Sequence, residues 1–211
     1  MKNNLVVVRT TNPGRLADFY QLMGWSFEYH RHGKGPFHYS TEKDGWVFEI
    51  YPAKKATLES HSVQLGFELK GMDRFLEAGV ELGGVLLRSP HMTDYGIQAI
   101  IKDPDGRKLI VKEEGTYQEV GQIALTKTNL VRGKGIELLG NSIHGEAEVG
   151  DFLEFQIDKQ SYLTRITELK PETPSSTPTI GRMRIRALKQ DYQTIHSWNP
   201  SSSFATIFRI K

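Results

Sequence analysis

The 211-residue sequence predicts an α+β fold, with paired βαβββ modules forming a concave mixed sheet over residues 1–114 and a small all-β barrel over residues 115–211. Three observations predict it. The order strand, helix, three strands runs twice through the first half. The second pass closes on Asp103-Pro104-Asp105-Gly106, a turn in which Pro presets its dihedral and Gly supplies positive φ. Beyond residue 113 helical periodicity vanishes, and short strand-like runs follow at turn-punctuated intervals.

The first pass opens with the apolar strand 5–9. Asn12-Pro13-Gly14 then starts a helix through residues 15–22, which Gly24 stops. Strands are expected at 25–31, 36–41 and 46–51, with glycine-containing turns between them. The second pass runs as a strand at 62–69, a helix near 73–78, and strands near 85–88, 96–102 and 108–112. Residues 113–120 read as a linker. The barrel strands are expected at 122–125, 135–139, 151–157, 162–169, 182–188, 194–198 and 205–210, with no helix among them. Residues 170–180 are rich in Pro, Ser and Thr, lack periodicity and read as a mobile loop.

A hydrophobic fraction of 38% is enough to bury a core. No apolar run reaches membrane-spanning length, and Met1-Lys2-Asn3-Asn4 passes straight into Leu5-Val6-Val7-Val8, so a cytoplasmic protein with no membrane partner is expected. The absence of cysteine excludes disulfides, a thiolate nucleophile and cysteine-ligated metal. Any metal would need His, Asp and Glu. Residues 1–115 carry fifteen Lys/Arg against fifteen Asp/Glu, and residues 116–211 twelve against ten, so charge alone does not imply nucleic acid.

Residues 30–39 bring together His30, His32 and His38 around two glycines, and lead through a turn to residues 46–52, where Glu49 sits in an apolar run. The segment reads either as a metal site or as the wall of a ligand cleft. Strand alternation puts Val47, Glu49 and Tyr51 on one face and Trp46, Phe48 and Ile50 on the other. The loop Gly33-Lys34-Gly35-Pro36 is not a phosphate cradle, because a strand follows it instead of a helix.

The doubled unit carries Ala17-Asp18-Phe19-Tyr20 on its first helix, Glu49-Ile50-Tyr51-Pro52 on its fourth strand, Leu65-Gly66-Phe67 on its fifth and Asp103-Pro104-Asp105-Gly106 in its last hairpin. In this it resembles the vicinal oxygen chelate superfamily of glyoxalases and bleomycin-resistance proteins over residues 4–113. The resemblance implies a divalent metal held from the first and last strands of both modules. Those places fall here on Leu5, Glu49, Gln64 and Ile110. Two apolar side chains leave too few donors for a three-ligand or octahedral site. The resemblance therefore implies a small-molecule cleft, possessing no metal and no other cofactor, within a homodimer. An alternative metal set of His38, Glu49 and His61 stays open, as does an enzyme reading in which Glu49 serves a lyase, isomerase or dioxygenase.

The cleft walls are assigned to Arg9, Trp25, His32, His38, Tyr39, Tyr51, Gln64 and Ile110 as ligand contacts, with Glu49 as the catalytic residue or as an ordinary partner of Arg9 or Lys108. In the second half, Gly135-Ile136-Glu137-Leu138-Leu139-Gly140 and Val149-Gly150-Asp151 resemble the second-domain barrel of translation elongation factors over residues 122–190. No phosphate-binding loop accompanies them, so nucleotide hydrolysis is not implied. Arg182, Arg184 and Arg186 alternate with apolar residues and would line one strand face as a partner-binding row, for RNA or a protein, or as a charge-blunted edge.

Overall fold

The computed structural model describes residues 5–55, 63–131, 135–170, 181–188, 190–200 and 203–211. By internal contacts the chain parts into two compact units, Met1–Arg88 with Ala99–Glu113, and Ser89–Gln98 with Glu114–Lys211. Both are mostly β.

In the first unit the leading module comprises β1 (Leu5–Thr10), α1 (Pro13–Gln21), β2 (Glu28–His30), β3 (His38–Lys43) and β4 (Trp46–Pro52). Its sheet runs β1-β4-β3-β2, with β1 parallel to β4 and the other pairs antiparallel. The second module repeats the order as β5 (Gln64–Leu69), α2 (Met72–Glu81), β6 (Val85–Thr93), β7 (Gly96–Lys102) and β8 (Lys108–Glu113), arranged β5-β8-β7-β6. The doubled βαβββ unit expected from the sequence is present.

Pro13 occupies the first turn of α1, and the Asn12 side chain accepts the Arg15 N–H at 3.2 Å, so the helix starts where the sequence placed it. Its face of Leu16, Ala17, Phe19 and Tyr20 is buried. Tyr20 meets Phe48 of β4 edge-on at 4.8 Å, and Phe19 meets Phe75 of α2 at 5.5 Å. The two modules thus share one aromatic core, each such pair contributing about 0.5–1.5 kcal/mol beyond its buried area.

A polar knot ties the modules as well. The turn after β7 forms with Gly106 N–H bonded to Asp103 O at 2.9 Å and Gly106 at φ 90°. Behind it Arg107, 1% exposed, donates to Asp103 at 3.0 Å, to Asp105 at 2.9 Å and to the carbonyl of Arg9 on β1. Asp103 also accepts the Tyr20 hydroxyl at 3.1 Å. Burial, and then the Asp103 carboxylate, holds the Tyr20 phenol well above its ordinary range.

Helix α2 begins at Gly71, which has no side chain to cap it. The missing acceptor comes from β8, where the buried Glu113 carboxylate takes the N–H groups of Gly71 at 2.9 Å and Met72 at 2.6 Å. Glu113→Ala is expected to cost about 2 kcal/mol, since two sheltered donors at the positive end of a helix lose their partner. Urea unfolding measures this, and a loss below about 0.5 kcal/mol would mean that water replaces the carboxylate.

The second unit contains β9 (Tyr117–Val131), β10 (Gly135–Gly145), β11 (Phe152–Ile157), β12 (Gln160–Lys170), β13 (Arg182–Arg186), α3 (Tyr192–Ser197) and β14 (Ser203–Ile210). The six strands close into a barrel in the order β10-β13-β12-β11-β14-β9. Closure leaves no free edge for unwanted pairing. Its interior is filled by side chains such as Ile123, Leu138, Leu153, Ile166, Met183 and Ile207. The tip of the β6–β7 hairpin, Ser89–Gln98, belongs to this unit, and within it Ser89 bonds to Asp191 at 3.0 Å and Met92 to Glu154 at 3.1 Å.

The structure corrects several expected elements. Only Glu28–His30 of the 25–31 strand is paired, because Trp25 packs edge-on against Phe48 at 5.1 Å instead of joining a ladder. The 113–120 linker is shorter, since Glu113 caps α2 and Tyr117–Val120 already belongs to β9. Residues 194–198 are not a strand. They form α3 and its end, with Ile195 fully buried in the barrel core and Trp198 stacked on Phe155 at 5.0 Å, so packing overrides a weak local pattern. The 170–180 loop lies outside the described residues, Lys170 excepted. Among the described residues no helix is long and apolar enough to cross a membrane.

Candidate functional site

Strand β4 sorts its side chains as alternation requires. Phe48 and Ile50 turn to α1 and are buried, so Val47, Glu49 and Tyr51 lie on the helix-free face of the sheet. Register extends that face across four strands. Arg9 on β1 pairs with Tyr51, and His30 on β2 pairs with His38 on β3. His38 stacks on Tyr51 at 4.0 Å with ring planes 10° apart, and the Arg9 guanidinium lies 5.3 Å from the Tyr51 centroid. Arg9, Tyr51, His38 and His30 therefore form one continuous row. In the next row Val7 pairs with Glu49, and Glu49 with Ser40. Leu5 and Val7 expose nearly half their surface beside it.

Within these rows the three histidines converge. His30 Nε2 lies 3.1 Å from His38 Nε2, and one ring nitrogen from each of His30, His32 and His38 falls within 4.8 Å of the others. Glu49 Oε1 lies 3.6 Å from His32 Nε2 and 3.7 Å from His38 Nε2. His38 is fully buried, whereas the His32 side chain is 67% exposed. The other His38 nitrogen, Nδ1, sits 3.2 Å from the carbonyl of Pro36.

The sequence assigns contact roles to His32 and His38 and names His30 only as part of the histidine-rich segment. The signal for His30 is the hairpin itself, which folds residue 38 back beside residue 30. Arg9, Tyr51, His32, His38 and Glu49 gather as one group. Tyr39 does not join them, because it follows His38 on the strand and so faces the other way, opposite Ile50 and against Tyr29 at 4.8 Å. Trp25 packs on the Phe48 and Phe67 rings, on the core side of the sheet. Gln64 and Ile110 lie on β5 and β8, opposite Lys108 and Gly66, where Glu68 and Lys112 form an ion pair at 3.1 Å. Glu49 contacts imidazoles, and Arg9 lies against Tyr51. His61 lies outside the described residues.

The expected arginine row is present on β13, where Met183 and Ile185 point inward and Arg182, Arg184 and Arg186 outward. Its central member is already engaged. Arg184 pairs with Glu168 of β12 and stands opposite the buried Glu137 of β10.

The positions at which the resemblance places a divalent metal do not fit one. The β1 side chains sharing the Glu49 face are Leu5, Val7 and Arg9, none of which donates to a cation, and Ile110 cannot.

A family model described as a glyoxalase-like domain matches residues 5–111. No curated protein matches the sequence. Among solved structures, a hypothetical protein from S. aureus is 14% identical with a TM-score of 0.45, covering 52% of this chain and 91% of its own. A glyoxalase/bleomycin resistance protein/dioxygenase family enzyme from Burkholderia phytofirmans is 15% identical, with a TM-score of 0.41 and coverage of 52% and 96%. A glyoxalase-related enzyme from Fulvimarina pelagi is 18% identical, with a TM-score of 0.42 and coverage of 56% and 91%.

Proposed function

From the premise that the chain belongs to the glyoxalase-like domain family through residues 5–111, we propose that it binds a small, partly apolar molecule on the helix-free face of the first module. One observation carries this. A polar row of Arg9, Tyr51 and His38 runs beside Leu5 and Val7, which are 47% and 43% exposed although the strand is otherwise built to bury apolar side chains. Apolar walls with a few placed polar groups are the composition of small-molecule sites. Leu5 and Val7 supply the contact area, and the Arg9–Tyr51–His38 stack orients a planar or charged group.

The test uses 8-anilinonaphthalene-1-sulfonate, whose fluorescence reports apolar sites. The protein is expected to bind it saturably. Changing Leu5 and Val7 together to Asp, at exposed positions where folding is tolerant, should weaken binding at least about tenfold, because each side chain contributes on the order of 1 kcal/mol of contact. Val85→Asp, at an exposed position on the other sheet, should leave it unchanged. Equal binding by the Leu5/Val7 double variant would overturn the proposal.

A further inference from the structure

His30, His32 and Glu49 have no task in the ligand row, and with the inner nitrogen of His38 they form a cluster of specific geometry. Zinc bonds of about 2.0–2.1 Å to nitrogen and oxygen require tetrahedral ligand atoms about 3.3 Å apart. The contacts here are 3.1 Å between His30 and His38, and 3.6 and 3.7 Å from Glu49 to His32 and His38. One ring nitrogen from each histidine lies within 4.8 Å of the others, and Glu49 joins them through His32 and His38.

An independent feature comes from the second nitrogen of His38. A carbonyl only accepts, so the 3.2 Å contact with Pro36 O requires the proton on His38 Nδ1. In the neutral ring Nε2 is then a bare lone pair, and it is this atom that faces His30 and Glu49. Metal-bound histidines are oriented in the same way, with the distal nitrogen donating to a carbonyl and the other free for the ion. Stacking on Tyr51 fixes the ring plane. His32 sits on the exposed turn that the Gly35 N–H closes onto its carbonyl at 2.9 Å, with its ring 67% exposed and facing Glu49.

We infer that His30, His32, His38 and Glu49 form a site for one divalent transition-metal ion of the zinc class, built on the β2–β3 hairpin and away from Leu5, Gln64 and Ile110. Three imidazoles and one carboxylate select zinc, cobalt or nickel over magnesium or calcium, which take all-oxygen shells. The site depends only on the hairpin and β4, and does not require the apolar ligand proposed above.

The experiment uses full-length, tag-free protein stripped with EDTA. Calorimetric titration with Zn²⁺ is expected to show one tight equivalent, and Co²⁺ loading should give the intense visible bands of four-coordinate cobalt. His32→Ala removes an exposed ring and spares the fold; it should weaken Zn²⁺ at least tenfold and abolish those bands, as should Glu49→Gln. His144→Ala, an exposed histidine of the barrel, should change neither readout. Absence of a stoichiometric zinc site, cobalt bands as weak as those of the aqua ion, or His32→Ala binding as tightly as the parent would each overturn the inference. Since the dye titration runs on stripped protein, its failure would remove only the ligand proposal.

Discussion

Arg107→Ala is expected to destabilise the first unit by about 3–5 kcal/mol, lowering its thermal midpoint by more than about 10 °C. The side chain is 1% exposed and bridges Asp103, Asp105 and the Arg9 carbonyl. Removing it strands the Asp103 carboxylate, itself 1% exposed, with the Tyr20 hydroxyl and turn amides as remaining partners. Uncompensated buried charge is among the largest single-site penalties known, and the vacated guanidinium adds a cavity. Arg107→Lys should rescue little, because one ammonium cannot span three acceptors set for a planar fork. Thermal and urea unfolding followed by circular dichroism decide the matter. A loss below about 1 kcal/mol would show that the knot is solvated and contributes little. The same variant frees the backbone of Arg9, so dye binding at the Arg9–Tyr51–His38 row should fall with it.

Gly145→Ala should have an effect of similar size on the barrel. Gly145 ends β10 at φ 74°, and a Cβ there would lie 1.9 Å from the carbonyl oxygen of Val120 and 2.6 Å from Gly121 Cα. Both obstacles are backbone of β9, which pairs with β10 at this point, so no rotamer change relieves them. The left-handed conformation alone costs a side chain about 1–3 kcal/mol, and separating two paired strands adds at least as much. A loss of more than about 3 kcal/mol is expected, read from near-ultraviolet dichroism through the Trp198–Phe155 stack. An unchanged midpoint would mean that β9 and β10 separate here at no cost.

The doubled βαβββ order was legible because each piece signals locally. Apolar alternation marks the strands, Asn12-Pro13 opens α1, and Asp103-Pro104-Asp105-Gly106 makes its turn from its own side chains and backbone. Glu49 was found by the same alternation. Helix α3 was not legible: six residues carry too little periodicity, and its formation rests on Ile195 entering a core made by distant strands. Tyr39, expected beside His38 at the cleft wall, lies on the opposite face of β3, because successive residues on a strand alternate sides.

By itself the sequence determined the fold type of the first half, the presence of a barrel in the second, the absence of any thiol chemistry, and the place of Glu49 on the strand face with Val47 and Tyr51. These follow from periodicity and residue inventory, which are local properties. Only the tertiary structure decided that ring nitrogens of His30, His32 and His38 come within 4.8 Å of one another, that β8 caps α2 through Glu113, and that Arg107 joins two modules. Each of these depends on strand register or on groups 40 to 100 residues apart, and register is set by how the sheets bury their apolar faces, which no stretch of sequence specifies alone.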